Sequence, residues 1–208
     1  MDMLGISKWY EENPIARIIV NAIPYAGGSL DVALSSKWNK YNNDRIIEML
    51  EKLEAELADL KNSTLGIRVA ESEVFFDLIR QIAPVVTQSR CPETRTGYAR
   101  IIRSALTRSE SIPDLEDMVR QISDFREKDI ICLRYLKQLY DSGQIVSGTV
   151  LSQTIKEFRL TPIEFESLLS RYENLGLLDH PRNRITGRGN IAFEKSRLFD
   201  KMVDLLGL

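Results

Sequence analysis

The chain has 208 residues, 43% of them apolar and 28% charged, with only 11 glycines and 7 prolines, which excludes disordered, collagen-like and low-complexity chains. Its 28 basic residues stand against 30 acidic ones, a formal charge of −2, so no net field drives nonspecific attraction to nucleic acid or anionic membrane. Any basic surface must be local. Cys91, Cys132 and the single His180 fall short of the roughly four Cys/His ligands a structural zinc site wants, and a reducing compartment is expected. Residues 18–30 run 13 positions without a charge but contain Pro24, Gly27 and Gly28, and a membrane helix needs roughly 20 apolar residues. Residues 1–10, with Lys8 as their one basic residue, do not read as a signal peptide, so a cytoplasmic chain without a membrane span is expected.

Helix signals dominate from the start. Asn13 can cap a first turn opened by Pro14, and Ile15, Ile18, Ile19, Ala22 and Ile23 form one apolar stripe that Pro24 should end. A Gly-rich turn leads to a second helix over 30–41, with Asn42-Asn43 expected to break it. The third helix, 44–61, repeats Ile46, Leu50, Leu53, Leu57 and Leu60 at spacings of 4, 3, 4 and 3, a heptad-like seam that must pack against another helix. After an expected break at 62–66, Val74, Phe75, Leu78, Ile79, Ile82 and Val86 follow helical spacing, with Ser72 as cap and Pro84 as a kink. Pro92 opens a helix to about 108 that buries Tyr98, Ile101, Ile102, Ala105 and Leu106 and spreads Arg95, Arg100, Arg103 and Arg108 over its other side. A short helix over 114–122 closes an α-helical bundle of residues 1–122, which carries 15 basic and 18 acidic residues.

Residues 123–208 have a different rhythm. Asp124 with Glu127 can make a capping box for a helix ending near Gly143, a helix over 147–158 follows, and Thr161-Pro162 turns into a third whose Phe165, Leu168, Leu169, Tyr172 and Leu175 face inward. Residues 177–180 and 184–186 are short enough to be paired strands around a turn at 181–183, and a last helix spans about 191–206. Helix, helix, turn, helix, hairpin is the winged helix-turn-helix plan. The fold class expected is therefore all-α, an N-terminal bundle followed by a winged-helix domain with a small β-hairpin.

The chemistry of enzymes finds little footing in this sequence. One histidine leaves few ways to build the commonest general base, and the P-loop, the dinucleotide fingerprint, GxSxG, HExxH and the EF-hand loop are all missing. The Arg-then-His pattern of all-helical ribonucleases also fails, because Arg171 precedes His180 by nine positions. A non-enzymatic chain without cofactor is expected, and His180 reads as an exposed turn residue before a pH-sensing or nucleic-acid contact.

Two basic features remain as candidate sites. Arg95, Arg100 and Arg103, with Arg80, Arg90 and Arg108, can bind phosphate or an acidic partner, since guanidinium groups make bidentate contacts with both; the plainer reading pairs them with the Glu48, Glu51, Glu54, Glu56 and Asp59 row. Around the expected wing, Arg182, Arg184 and Arg188 can touch a DNA backbone, and Arg171 lies on the preceding helix. That helix nevertheless offers Glu164, Glu166 and Glu173, which phosphate repels. A third candidate, an amphipathic membrane hairpin over 14–34, lacks the basic residues such segments carry.

The run Ile23-Pro24-Tyr25-Ala26-Gly27-Gly28-Ser29-Leu30-Asp31 before Arg45-Ile46-Ile47, and later Glu93-Thr94-Arg95 before Tyr98-Ala99, resembles bacterial helical proteins that end in a winged-helix domain. In layout it is similar to the abortive-infection alpha family, with Ile185-Thr186-Gly187-Arg188-Gly189 and Phe193 as a loose form of the usual ending. The resemblance implies a cytoplasmic bacterial protein linked to phage defence and supplies no catalytic residues. The expectation is an adaptor acting through a protein partner or self-association; the alternatives are a DNA-binding transcriptional regulator dimerised through the heptad seam, and a membrane-active effector.

Overall fold

The structure, a computed structural model, describes residues 9, 11–23, 37–60, 63–143, 160–179, 185–186, 190–191 and 193–208. The chain forms two compact units, Met1–Asp124 and Phe125–Leu208. It is mostly helical.

In the first unit, α1 (Pro14–Ala22) starts where Asn13 accepts hydrogen bonds from the Ile15 and Ala16 amides at 3.0 and 3.4 Å, with Pro14 supplying a first position that needs no donor. Its Ile15, Ala16, Ile19 and Ala22 are buried, so the apolar face offered above to a membrane lies inside this unit; residues 24–34 of that candidate fall outside the described residues. The next helix corrects the sequence expectation. Asn42 and Asn43 do not interrupt it: α2 runs from Lys37 to Glu56, because an asparagine costs a helix interior only about 0.7 kcal/mol and tertiary packing outweighs that. A turn at 57–60 ends it short of Lys61.

The expected break at 62–66 is instead the start of α3 (Thr64–Ala70), capped by the Ser63 hydroxyl, which accepts from the Gly66 amide at 3.1 Å. Gly66 is there for closeness. A Cβ at this position would stand 3.0 Å from Ile15 Cδ1, so the missing side chain lets α3 settle onto α1.

Helix α4 (Glu73–Gln88) is capped by Ser72 and continues through Pro84, burying Phe75, Leu78, Ile79, Ile82, Ala83 and Val86. Helix α5 (Pro92–Thr107) ends on Arg108 in the left-handed conformation, φ 52°, and α6 (Ile112–Ser123) starts from the Ser111 cap. The α2 seam, with Ile46, Met49, Leu50, Leu53 and Leu57 buried, packs chiefly on α5 and then on α4. A seam covered within the chain is not the dimer contact that the regulator reading assigns to it.

The second unit opens with α7 (Glu127–Asp141). The expected Asp124–Glu127 box is not what starts it: the Asp129 carboxylate reaches back to the Arg126 amide at 2.8 Å. The expected helix over 147–158 lies outside the described residues. Helix α8 (Pro162–Asn174) carries a complete capping box, Thr161 Oγ1 accepting from the Glu164 amide at 3.2 Å and Glu164 accepting from the Thr161 amide at 2.8 Å.

The strands pair differently from the sequence expectation. β1 (Leu178–Asp179) is antiparallel to β4 (Glu194–Lys195), with Leu178 opposite Lys195, and β2 (Ile185–Thr186) is antiparallel to β3 (Asn190–Ile191), with Ile185 opposite Ile191. Among the described residues Leu178–Asp179 therefore does not pair with Ile185–Thr186, and Ile191 and Phe193 do not belong to the last helix. That helix, α9 (Arg197–Leu206), starts three residues after Phe193 at the Ser196 cap, whose hydroxyl accepts from the Phe199 amide at 3.1 Å. Buried Phe165, Leu169, Tyr172, Leu177 and Leu178 join Phe199, Met202, Val203 and Leu206 in the core of this unit.

Candidate functional site

The arginine row of α5 is built into the first unit. Arg95 Nη2 lies 2.7 Å from Glu48, Arg100 Nε lies 2.8 Å from Glu56, and the two ends of Arg103 meet the Asp59 carboxylate at 2.6 and 2.8 Å. Partners that advance together along both helices mean that α2 and α5 run in the same direction. The same arginines also serve helix ends. Neither α2 nor α4 has a basic residue in its last turn, where unpaired carbonyls concentrate negative partial charge. Arg103 donates to the Glu56 carbonyl at the end of α2, and Arg95 donates to the Ser89 carbonyl at the C-cap of α4 at 2.9 Å. Arg45, which was not among the candidate site residues of the sequence, donates to the Thr87 carbonyl in the last turn of α4.

Arg95 is the correction within this row. Expected on the outer side, its side chain is only 6% exposed, and its Nε has no partner. The signal was present in the spacing: Arg95 stands three and seven positions before Tyr98 and Ile102, on their buried stripe. Arg100 and Arg103 are 36% and 32% exposed and keep one edge in water. The Arg103 guanidinium holds the exposed Asp59 carboxyl below its ordinary range, chiefly through their hydrogen bond.

Arg171 does not face outward for a ligand either. Its Nη1 lies 3.0 Å from Asp129 Oδ1 and its guanidinium stacks over the Phe125 ring at 5.6 Å. Asp129, missed by sequence reading, is 2% exposed and is the hub of the second unit. It caps α7, takes Arg171, and its backbone carbonyl accepts from the Tyr172 hydroxyl at 3.1 Å. Burial pushes the neighbouring Cys132 thiol up to about 12, and it raises the Tyr172 hydroxyl well above its ordinary value. A thiol held that far from ionisation is a poor nucleophile.

What α8 turns to solvent is a stripe of Ile163, Glu166, Ser167, Ser170 and Asn174, with Ile163 79% exposed. Beside it, Glu164 pairs with Lys128 at 2.5 Å, and that hydrogen bond first, with those from Thr161, lowers its carboxyl to about 2. Arg182, Arg184 and Arg188 lie outside the described residues, as does His180. In the sequence they occupy the segment between β1 and β4, which contains no Asp or Glu from 180 to 193.

Among the described residues no group of three or more His, Cys, Asp or Glu side chains is placed to hold a metal ion, and no helix is long and apolar enough to cross a membrane. Comparison with protein-family models, with curated proteins and with solved structures returned no match.

Proposed function

We propose that the chain is a non-enzymatic bacterial binding protein, an adaptor in phage defence that acts through protein contacts of its helical bundle and of a winged-helix second unit. The order α7, a segment, α8, then two antiparallel strand pairs supports the winged-helix reading, in which α8 takes the position of the groove-reading helix. The observation that carries the protein-contact reading is the outward stripe of α8. A helix that reads the major groove presents Arg, Lys, Asn or Gln in quantity, whereas α8 presents an aliphatic side chain, two serines, a carboxylate and the single Asn174 in its last turn, and turns its Arg171 inward to Asp129. Such a surface suits a protein partner with an apolar contact and repels phosphate.

A second reading, a DNA-binding regulator, draws on the segment between β1 and β4, where Arg182, Arg184 and Arg188 stand without a carboxylate. Fluorescence anisotropy of the full chain with labelled random duplex DNA, at low and moderate salt, separates the two. The adaptor reading expects no binding even at low salt. Salt-sensitive binding that disappears when Arg182, Arg184 and Arg188 are replaced by alanine overturns it in favour of the regulator. A photo-crosslinking residue at Ser167 then tests the stripe directly: the adaptor reading expects a discrete protein adduct in living bacteria that Ile163→Asp abolishes.

A further inference from the structure

One face of α4 departs from the rule that governs the α2–α5 row. Behind it lie Phe75, Leu78, Ile79, Ile82, Ala83 and Val86; in front, Glu73, Phe76, Asp77, Arg80 and Pro84 are exposed, Phe76 by 41%, with Val74 beside them at 53%. The Arg80 guanidinium lies over the Phe76 ring at 5.8 Å and has no carboxylate within ion-pair distance among the described residues. Glu73 and Asp77 are likewise without a cation there, although Asp77 is only three positions from Arg80. Arginines 95, 100 and 103 are each held by an acid of the same unit, so this face keeps both signs of charge and an aromatic ring in reserve.

The order of those charges identifies what fits them. Glu73 and Arg80 are seven positions apart, two helical turns and roughly 10 Å along the axis, with Phe76 and Asp77 midway between them. Two copies of α4 crossing antiparallel about a two-fold axis at that midpoint set Glu73 of each opposite Arg80 of the other. The same operation brings the two Phe76 rings together and leaves each Asp77 within a turn of the facing Arg80. An isologous contact requires one patch to be its own complement, and this patch is. We infer that the exposed face of α4 is a self-association surface whose occupant is a second copy of this chain. One helix face buries less than the roughly 800 Å² per partner of a standard interface, so the dimer is weak and depends on concentration and salt. The inference is independent of the α8 contact proposed above.

Sedimentation velocity of the full chain from about 10 µM to about 1 mM tests it. The expected result is a monomer that shifts to dimer as concentration rises, while Phe76→Asp and Arg80→Glu remain monomeric across the range with unchanged circular dichroism and melting temperature. The pairing itself is read by charge exchange. Arg80→Glu makes the face wholly acidic and the double variant Glu73→Arg, Asp77→Arg makes it wholly basic, so each alone is monomeric and an equimolar mixture dimerises. A wild-type chain that stays monomeric at every concentration, a dimer that survives Arg80→Glu, or a mixture that fails to associate each overturns the proposal.

Discussion

The two units use arginine–carboxylate pairs in opposite ways. In the first, three pairs are strung along α5 and along α2 with the turn that follows it, each joining a different acid to a different arginine, with Arg100 and Arg103 about one-third exposed. In the second, one carboxylate at 2% exposure gathers the Arg126 amide, the Arg171 guanidinium and the neighbourhood of Tyr172 into a single knot between α7 and α8. Each pair of the string keeps at least one member open to water, Glu48, Arg100 and Asp59, so the row sets the register of two helices while each pair adds less than a fully buried one. A buried hub cannot lose one partner without stranding the others. The difference teaches where each unit is vulnerable: the first degrades gradually, the second at one atom cluster.

The largest expected effect is therefore Asp129→Ala. It removes the α7 cap and the partner of Arg171, and the expected cost is about 3 kcal/mol, somewhat below a fully buried pair because Arg171 keeps an edge in solvent. Each unit holds one buried cysteine, Cys91 in the first and Cys132 in the second, so thiol labelling reports their opening separately. Asp129→Ala should speed labelling of Cys132 far more than that of Cys91. Equal acceleration at both would dissolve the contrast. Next comes Arg95→Ala, at about 1.5 kcal/mol: it ends the bonds to Glu48 and the Ser89 carbonyl, but the lost Nε had no partner and Glu48 can return to water. Here Cys91 should respond first, and Arg95→Met, which keeps the buried stem, should recover part of the loss.

How much of this was legible in the sequence follows from how local each cause is. Asn13 with Pro14, Ser72, Pro92 and the Thr161-Pro162 turn act within four residues, and each marks the helix start the structure has. The seam residues Ile46, Leu50, Leu53 and Leu57 are buried because a spacing of 3 and 4 is a property of one helix. The acids that meet the α5 arginines were visible as a row, and Glu48, Glu56 and Asp59 take them. What stayed hidden depends on contacts distant in the chain. Gly66 reads as a breaker until Ile15 is seen against it, and two-residue strands carry no periodicity to say that β1 joins β4. Asp129 looked like any first-turn acid, since its partners lie 42 and 43 positions away.

The smaller effects belong to the solvated members of each unit. Arg103→Ala should lower stability by less than Arg95→Ala, and added salt should shrink the Arg103→Ala loss further, because both ends of the Arg103–Asp59 contact are open to screening. Urea midpoints at low and high salt check this; a salt-independent loss would mean that the donation to the Glu56 carbonyl matters more than the ion pair.

Acid gives the finest comparison, since among the described residues each unit has one exposed carboxylate with a lowered titration. Asp59 is lowered mainly by its Arg103 hydrogen bond, Glu164 mainly by Lys128 and then by Thr161. A carboxyl lowered in the folded state contributes stability that is fully present above its unfolded value and lost as pH falls through the folded one. For Glu164 that window runs from about 4.5 down to about 2, and for Asp59 it begins near 3.8, so the second unit should begin to weaken at the higher pH. Carboxyl chemical shifts followed by NMR from pH 6 to pH 2 should show both groups titrating below their ordinary values. Lys128→Ala should move Glu164 upward while leaving Asp59 in place. A Glu164 that titrates unchanged without Lys128 would assign its shift to the Thr161 cap instead, and would make the capping box, rather than the ion pair, the acid-sensitive part of α8.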